Sequence, residues 1–161
     1  MTRNIPTLGV GVYNDSGNTD KAIEYNKKAI ALDPKNYGSW HALGVAWQEK
    51  GNNQKALKCY QKAVELLREQ LKIYPEDALA WGNLSNVYTS LEKYDDALKC
   101  CQKSIALNPN FTFAWERLGG IYYQMKNYSE SLKALNKAVE LAPNDANIRE
   151  ARDAVAKQLK K

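Results

Sequence analysis

Few residues of this chain have the types and spacing that catalysis requires. His41 is the only histidine, and no glycine-rich phosphate loop ending in lysine accompanies it. Gly9, Val10 and Gly11 form a G-x-G triplet without the third glycine of a dinucleotide-binding fingerprint. We therefore predict no catalytic residues, no enzyme activity and no cofactor. On the same grounds His41 is expected to be a partly exposed helix residue.

The cysteines are also poorly placed for chemistry. The chain has three, and Cys100 and Cys101 are adjacent, which suits neither a disulfide framework nor the C-x-x-C spacing of a zinc site. We expect reduced thiols packed as small apolar residues, and no metal site. The N-terminus lacks the apolar core of a signal peptide, and no run approaches the roughly 18 apolar residues of a membrane span. These features predict a cytoplasmic protein without membrane insertion.

The net charge of +5 raises the question of a nucleic-acid partner. The lysines do not gather in one stretch, however: Lys62, Lys103 and Lys137 recur at matching places along the chain, on faces expected to be solvated. The sequence contains no dense basic cluster with interleaved aromatic residues. We therefore predict that the partner is a protein or a peptide and that nucleic acid is not bound.

An internal repeat indicates the elements that position these residues. Six residues recur at a separation of 34: Trp81, Leu84, Ser85, Tyr88, Ala97 and Pro109 are followed by Trp115, Leu118, Gly119, Tyr122, Ser131 and Pro143. The same set occurs earlier as Trp40, Leu43, Gly44, Trp47, Ala56 and Pro75. On a helical wheel the large residues form one packing face, and the small residue lets a second helix approach closely. The repeat therefore predicts stacked pairs of antiparallel helices.

This pattern resembles the tetratricopeptide repeat, in which W-x-x-L-G-x-x-Y is followed by a small residue and then by proline. Three full repeats cover residues 37–143. The resemblance implies an all-α fold, a right-handed superhelical solenoid of antiparallel helix pairs, ended by a C-terminal capping helix.

A single domain is predicted for residues 1–161. Its parts are 1–36, a degenerate first repeat; 37–75, a repeat with a longer second helix; 76–109 and 110–143, two regular repeats; and 144–161, the capping helix. Any first helix in the degenerate repeat is expected to be short or irregular, because a proline and three glycines fall within residues 1–17.

The repeat at 37–75 carries an insertion. Trp40 and Trp81 are 41 residues apart, whereas Trp81 and Trp115 are 34 apart, so seven residues are extra. They fall between Ala63 and Pro75, in a stretch of good helix formers without a breaker. Seven residues rotate a helix by about 700°, within roughly 20° of two whole turns. The insertion is therefore predicted to lengthen the second helix by about 10 Å without turning its buried face away from the stack.

The resemblance also implies a peptide site on the inner face of the stack, on the side of each first helix that the core leaves free. The residues predicted to bind peptide there are Asn83, Asn86, Arg117, Gln48, His41, Tyr123 and Gln124. Asparagine amides donate to and accept from a peptide backbone, and Arg117 can hold a carboxylate through two hydrogen bonds. Asn83 and Arg117 occupy positions like those of this family's carboxylate clamp, whereas His41 and Val45 stand where the clamp has lysine and asparagine.

Two functions remain open as hypotheses. The first is a non-enzymatic interaction module, an adaptor or scaffold, that binds a peptide or protein segment in the concave groove. The alternative is a structural repeat protein that self-associates. If residues 1–16 do not complete the first helix pair, Ile23 and Ile30 stay uncovered and favour a homodimer through the N-terminal repeat.

Overall fold

The computed structural model describes residues 18–160, so the prediction for residues 1–17 lies outside the described part of the chain. Within 18–160 all regular structure is helical. The helices are α1 (Thr19–Leu32), α2 (Tyr37–Glu49), α3 (Asn53–Ile73), α4 (Ala78–Ser90), α5 (Tyr94–Leu107), α6 (Thr112–Gln124), α7 (Tyr128–Leu141) and α8 (Ala146–Gln158). The predicted all-α solenoid is confirmed.

The helices pack in successive pairs: α2 with α3, α4 with α5, and α6 with α7. Before the first pair α1 packs on α2, and after the last pair α8 packs on α7. Neighbouring pairs meet where α3 contacts α4 and where α5 contacts α6, and α4 also contacts α6 directly. We call α2, α4 and α6 the first helices, and the surface that they form together the inner face.

The small residues of the repeat match the size of the side chains opposite them. A Cβ atom on Gly44 would lie 2.5 Å from the Tyr60 ring, and one on Gly119 would lie 2.6 Å from Leu135 Cγ. In the middle pair the equivalent position is Ser85, fully buried, and the residue in contact with it is the smaller Cys101. Packing at native density explains this pairing of glycine with a large residue and of serine with a small one.

A hydrogen bond that recurs in each repeat fixes how every first helix begins. The indole N–H of Trp40 donates to the carbonyl of Pro34 at 2.9 Å, and Trp81 and Trp115 donate to the carbonyls of Pro75 and Pro109 at 2.8 Å. Because proline ends the preceding helix, this bond ties that end to the first turns of the next helix. The six-residue spacing from proline to tryptophan is therefore a structural constraint.

The inserted residues lengthen one helix and keep its apolar side buried. α3 has 21 residues, whereas α1, α5 and α7 have 14 each, a difference of seven. In the added turns Leu67 is fully buried, and Leu71 is 7% exposed. The side chains therefore keep the phase that two whole turns provide.

The first described helix is covered on its apolar side. Ile23 is only 6% exposed and packs with Leu43, Ala46 and Cys59, and Ile30 packs against this cluster. The expectation that Ile23 stays uncovered is therefore wrong, because α2 and α3 supply its partners. Large apolar side chains do remain exposed on α1, at Tyr25 and Leu32.

Two further properties concern the described helices. None of them is long and apolar enough to cross a bilayer. Within residues 18–160, no three or more His, Cys, Asp and Glu residues lie close enough together to hold a metal ion.

Candidate functional site

The inner face carries most of the residues that the sequence places in the candidate site. Asn83 and Asn86 on α4 are three residues apart, and Arg117 on α6 points toward them. Residues three and four apart share one side of a helix, so the two asparagines face the neighbouring first helices. The site is therefore a row of polar side chains across α2, α4 and α6.

Arg117 of α6 is the buried cation of this row. Its Nη1 atom donates to Asn86 Oδ1 at 3.0 Å, and its guanidinium carbon lies 5.0 Å from the centre of the Phe113 ring. Only 8% of the side chain is exposed. Nε and Nη2 are buried and make no hydrogen bond among the described residues. A contact of 3.6 Å joins Nη2 to Glu116 Oε1, which is too long for a hydrogen bond and leaves only Coulomb attraction.

Burial dominates the electrostatics around Arg117. Burial lowers the pKa of Arg117, yet arginine remains protonated at neutral pH. Burial raises the pKa of Glu116, and the neighbouring guanidinium offsets part of that rise. Burial and, second, the charge of Arg117 lower the pKa of His41 to about 4, so the imidazole is neutral at pH 7. Arg117 is thus a buried cation with incomplete hydrogen bonding.

His41 lies in a different environment from the one expected. It is 8% exposed, its Nε2 atom lies 3.0 Å from Ser90 Oγ, and its ring is 5.6 Å from the Tyr60 ring. The Ser90 hydroxyl donates to the Asn86 carbonyl at 3.3 Å, which leaves its oxygen to accept from Nε2. The expectation of a partly exposed histidine is therefore wrong, because α4 and α3 cover the ring.

Two other predicted residues are tied to the scaffold. Asn83 Nδ2 donates to the Tyr37 hydroxyl at 2.6 Å, which links α4 to α2. Gln48 is exposed, and its Oε1 atom accepts from the Tyr60 hydroxyl at 2.7 Å. Each amide keeps its other polar atom for a ligand, since neither makes a further hydrogen bond within residues 18–160.

The C-terminal end of α6 is the open part of the inner face. Tyr123 is half-buried with its ring 5.4 Å from the Tyr128 ring, and Gln124 is exposed. A Cβ atom on Gly120 would have no atom within 4 Å, so the helix presents bare backbone there. Gly120 lies three residues after Arg117, on the same side of α6. Open space therefore lies on the side of α6 that carries Arg117.

The first helices are not aligned in the same register along the row. Between α4 and α6, Asn86, five residues after Trp81, meets Arg117, two after Trp115. Between α2 and α4, Tyr37, three before Trp40, meets Asn83, two after Trp81. Counted from the tryptophan of its own repeat, the α6 residue lies three positions earlier than its α4 partner. The α4 residue, by contrast, lies five positions later than its α2 partner. At about 1.5 Å per residue, α4 is displaced by about two turns toward the start of α2, as the longer α3 requires.

Two contributors were missed by the sequence prediction. Tyr37 bonds to Asn83, and Phe113 packs against the Arg117 guanidinium. Continuing the helical wheel backwards from Trp115 puts Phe113 near about 160°, so its position in the sequence does predict a side chain on the inner face. The sequence does not predict the role of Tyr37, because its contact with Asn83 depends on the displacement of α4.

Protein-family models match most of the described chain. Two models described as tetratricopeptide repeat match residues 38–110 and 84–159, and together they extend over 38–159. A third, described as protein prenyltransferase alpha subunit repeat, matches only residues 19–49. The chain matches no curated protein sequence.

Solved structures resemble the fold over most of the chain. A thermophilic TPR protein in Thermus thermophilus is 22% identical with a TM-score of 0.67, over 88% of this chain and 74% of that one. The first TPR domain of the human RPAP3 protein is 23% identical with a TM-score of 0.62, over 73% and 92%. The first TPR of Spaghetti (RPAP3), bound to the HSP90 peptide SRMEEVD, is 19% identical with a TM-score of 0.61, over 94% and 100%.

Proposed function

Because the chain belongs to the tetratricopeptide repeat family, we propose that it is a non-enzymatic interaction module that binds an extended, acidic peptide segment of a partner protein on its inner face. In this role it acts as an adaptor or scaffold. The observation that carries the proposal is the incompletely bonded guanidinium of Arg117.

A carboxylate is the group that best completes Arg117. Burying a cation without its hydrogen bonds costs free energy, and an anionic partner recovers part of that cost. Nε and Nη2 form one edge of the guanidinium, and this edge can donate two parallel hydrogen bonds to a carboxylate. Both atoms are free of hydrogen bonds among the described residues. A side-chain or C-terminal carboxylate of a peptide is therefore the proposed contact.

The asparagines suit the backbone of the same peptide. Asn86 uses its oxygen on Arg117, and its amide nitrogen makes no hydrogen bond within the described residues, so it is available to a peptide carbonyl. Asn83 uses its nitrogen on Tyr37, which leaves its oxygen for a peptide N–H. Both side chains are held in place before a ligand arrives, which lowers the entropy cost of binding.

The similar structure bound to SRMEEVD supports this class of ligand, since that peptide carries acidic residues. It does not transfer a specific chaperone as the partner. Its likeness to this chain is one of fold, and His41 here is buried and neutral, with its pKa lowered to about 4 by burial. Arg117 is thus the cation on which the proposed carboxylate contact depends.

A pull-down from cell extract, followed by mass spectrometry and by titration of the captured segment, tests the proposal. Wild type is compared with an Asn83→Ala, Arg117→Ala double variant and with a control, Asn144→Ala with Arg149→Ala, which removes the same side chains from exposed positions. Loss of charged hydrogen bonds worth about 1.5–3 kcal/mol predicts roughly 10- to 100-fold weaker binding by the first variant only. Undiminished capture of every partner by that variant would contradict the proposal.

Self-association is the second candidate, and the exposed side chains of α1 favour it. Tyr25 is 67% exposed and Leu32 is 88% exposed, whereas Ile23 is covered. Light scattering of Tyr25→Lys with Leu32→Lys tests for a homodimer through this helix, with Ile73→Lys and Tyr74→Lys as an equally exposed control pair. A dimer that resists dilution and dissociates only in the α1 variant would support self-association. A monomeric wild type would exclude it.

A cytoplasmic location is proposed as well. Cys59, Cys100 and Cys101 are all free thiols, which is typical of proteins in a reducing compartment.

A further inference from the structure

A groove of about 430 Å³ lies on the other side of α4 from the inner face. Residues of α3 and α5 form its walls, and residues of α4 form its floor. The volume falls within the roughly 300–1,000 Å³ that is usual for ligand clefts. None of the residues predicted to bind peptide lines it.

The insertion in α3 builds one wall of this groove. Arg68 is twelve residues after Ala56, and the residue twelve after Ala97 is Pro109, where α5 has already ended. Arg68, Leu71 and Lys72 therefore belong to turns that the regular repeats lack. They are spaced three and four residues apart, so they share the side of α3 that faces the groove.

The floor of the groove is apolar. Leu84 and Tyr88 of α4 are 2% and 5% exposed, and Trp81 is half-buried beside them. The indole N–H of Trp81 already donates to Pro75, so the ring offers apolar surface to a ligand. Such a floor favours an apolar side chain over a small hydrated ion.

The rim of the groove carries excess positive charge. Arg68, Lys72 and Lys99 are exposed there, and Asp96 is the one carboxylate among the lining residues. None of the three cations forms an ion pair with a carboxylate in the part of the chain that the structure describes. By contrast, three lysines elsewhere on the surface, Lys62, Lys133 and Lys137, each pair with a glutamate on their own helix.

We propose that this groove is a second binding site, for an acidic amphipathic segment of a partner protein. An apolar side chain of the segment packs on Trp81 and Leu84, and flanking aspartates or glutamates pair with the cations of the rim. Charge complementarity selects the sign of the ligand, and the apolar floor selects a polypeptide over an inorganic anion.

The two sites do not compete for space. Trp81, Leu84 and Tyr88 lie on one side of α4, whereas Asn83 and Asn86 lie on the opposite side. The chain can therefore hold one segment on the inner face and another in the groove. The proposal of this second site does not depend on the inner-face proposal.

Fluorescence-polarisation titrations with two synthetic peptides test the groove. One is a labelled amphipathic helix of leucine, phenylalanine, alanine and glutamate, and the other has lysine at every glutamate position. Wild type is expected to bind the glutamate peptide at least about tenfold more tightly, and less tightly as salt is added. The triple variant R68E/K72E/K99E is expected to lose that preference.

A matched control separates the groove from general electrostatics. Lys58→Glu, Lys103→Glu and Lys157→Glu together change the net charge by the same amount at exposed positions outside the groove. This control should retain wild-type affinity for the glutamate peptide. Because the inner face is also proposed to bind acidic peptides, the comparison is repeated in the Asn83→Ala, Arg117→Ala background, where R68E/K72E/K99E should still abolish the remaining preference for glutamate. If the charge-reversed groove variant melts without cooperativity, R68Q/K72Q/K99Q replaces it, with a smaller expected loss.

Three results would overturn the second site: no binding of the glutamate peptide, equal binding by wild type and the groove variant, or equal losses in the groove variant and its control. Tighter binding of a DNA duplex or of anionic lipid vesicles than of the glutamate peptide would overturn it as well, because the ligand would then belong to another class.

Discussion

Two junctions join consecutive first helices, α2 with α4 and α4 with α6. The helices contact each other differently at the two junctions. At the α4–α6 junction the helices touch directly, and a Cβ atom on Gly82 would lie 3.0 Å from the Phe113 ring. At the α2–α4 junction, the connection is made by two side-chain hydrogen bonds, one from Asn83 to Tyr37 and one between His41 and Ser90. An insertion that keeps the helical phase therefore preserves the core and still changes the surface beside it.

The strongest test of this comparison compares two deletions in α3. Removing residues 65–71 takes out seven residues, so α4 should return to the regular register with cooperative unfolding retained. Removing 65–69 takes out five and rotates the rest of α3 by about 140° from its phase, which should separate α4 from α3. Thermal melts followed by circular dichroism should show one transition for the first and a much lower or divided transition for the second. Equal melts would contradict the phase argument.

The next test concerns the buried histidine of the α2–α4 junction. Burial lowers the pKa of His41 to about 4, below the value of about 6.5 for an unfolded chain, so the unfolded state binds the proton more readily. The contribution of neutral His41 to the free energy of unfolding is therefore fully present above about pH 6.5. It is lost as the pH falls toward 4, by an amount on the order of 3 kcal/mol. Urea titrations from pH 7 to pH 4 should show a smaller loss in His41→Gln. An equal loss in both proteins would contradict the depressed pKa.

Packing at the α4–α6 junction is tested with two glycine substitutions. Gly82→Leu places a large side chain against the Phe113 ring and should lower the free energy of unfolding by about 1–3 kcal/mol. Gly120→Ala is the control: its Cβ meets nothing, so better helix propensity should raise stability by about 0.5–1 kcal/mol. Urea denaturation measures both. A stable Gly82→Leu protein would mean that the two first helices are not in close contact.

The smallest effects are expected at the turns between paired helices. The first pair turns at Gly51 with φ of 78°, whereas the later pairs turn at Glu92 and Lys126 with φ of 57° and 60°. Side chains disfavour this left-handed conformation by roughly 1–2 kcal/mol, so Glu92→Gly and Lys126→Gly should each stabilise by up to about 1 kcal/mol. Gly51→Ala should destabilise by a similar amount. Melting temperatures that do not change in these directions would contradict the assignment of strain.

The spacing of the recurring residues was enough to predict the framework of the fold. Tryptophan, the small residue and proline recur because each makes a contact that the geometry requires, such as the indole hydrogen bond to the proline carbonyl. The lengthening of α3 followed from counting residues, and the burial of its added turns followed from phase. These features were predictable because they depend only on distances along one helix or between the two helices of one pair.

The candidate site was predictable only in part. The inner sector of the wheel includes Asn86 and Arg117, but their hydrogen bond and the exposed fraction of Arg117 depend on how two first helices are aligned. His41 was misjudged for the same reason. Aligning the repeats by sequence places it beside Gly82, whereas the displaced α4 places Ser90 there. Register between helices that are not neighbours in the chain is a property of the assembled stack.

The displacement of α4 has a consequence for the length of any ligand that crosses the inner face. A chain bound along α6 and α4 meets its next contacts on α2 about 10 Å away from where a regular stack would offer them. An extended peptide covers about 3.3 Å per residue, so up to about three more residues would separate its proposed contact with Arg117 from its contact with α2. A recognition motif for this protein is thus expected to have two short blocks of fixed sequence with a spacer of defined length between them.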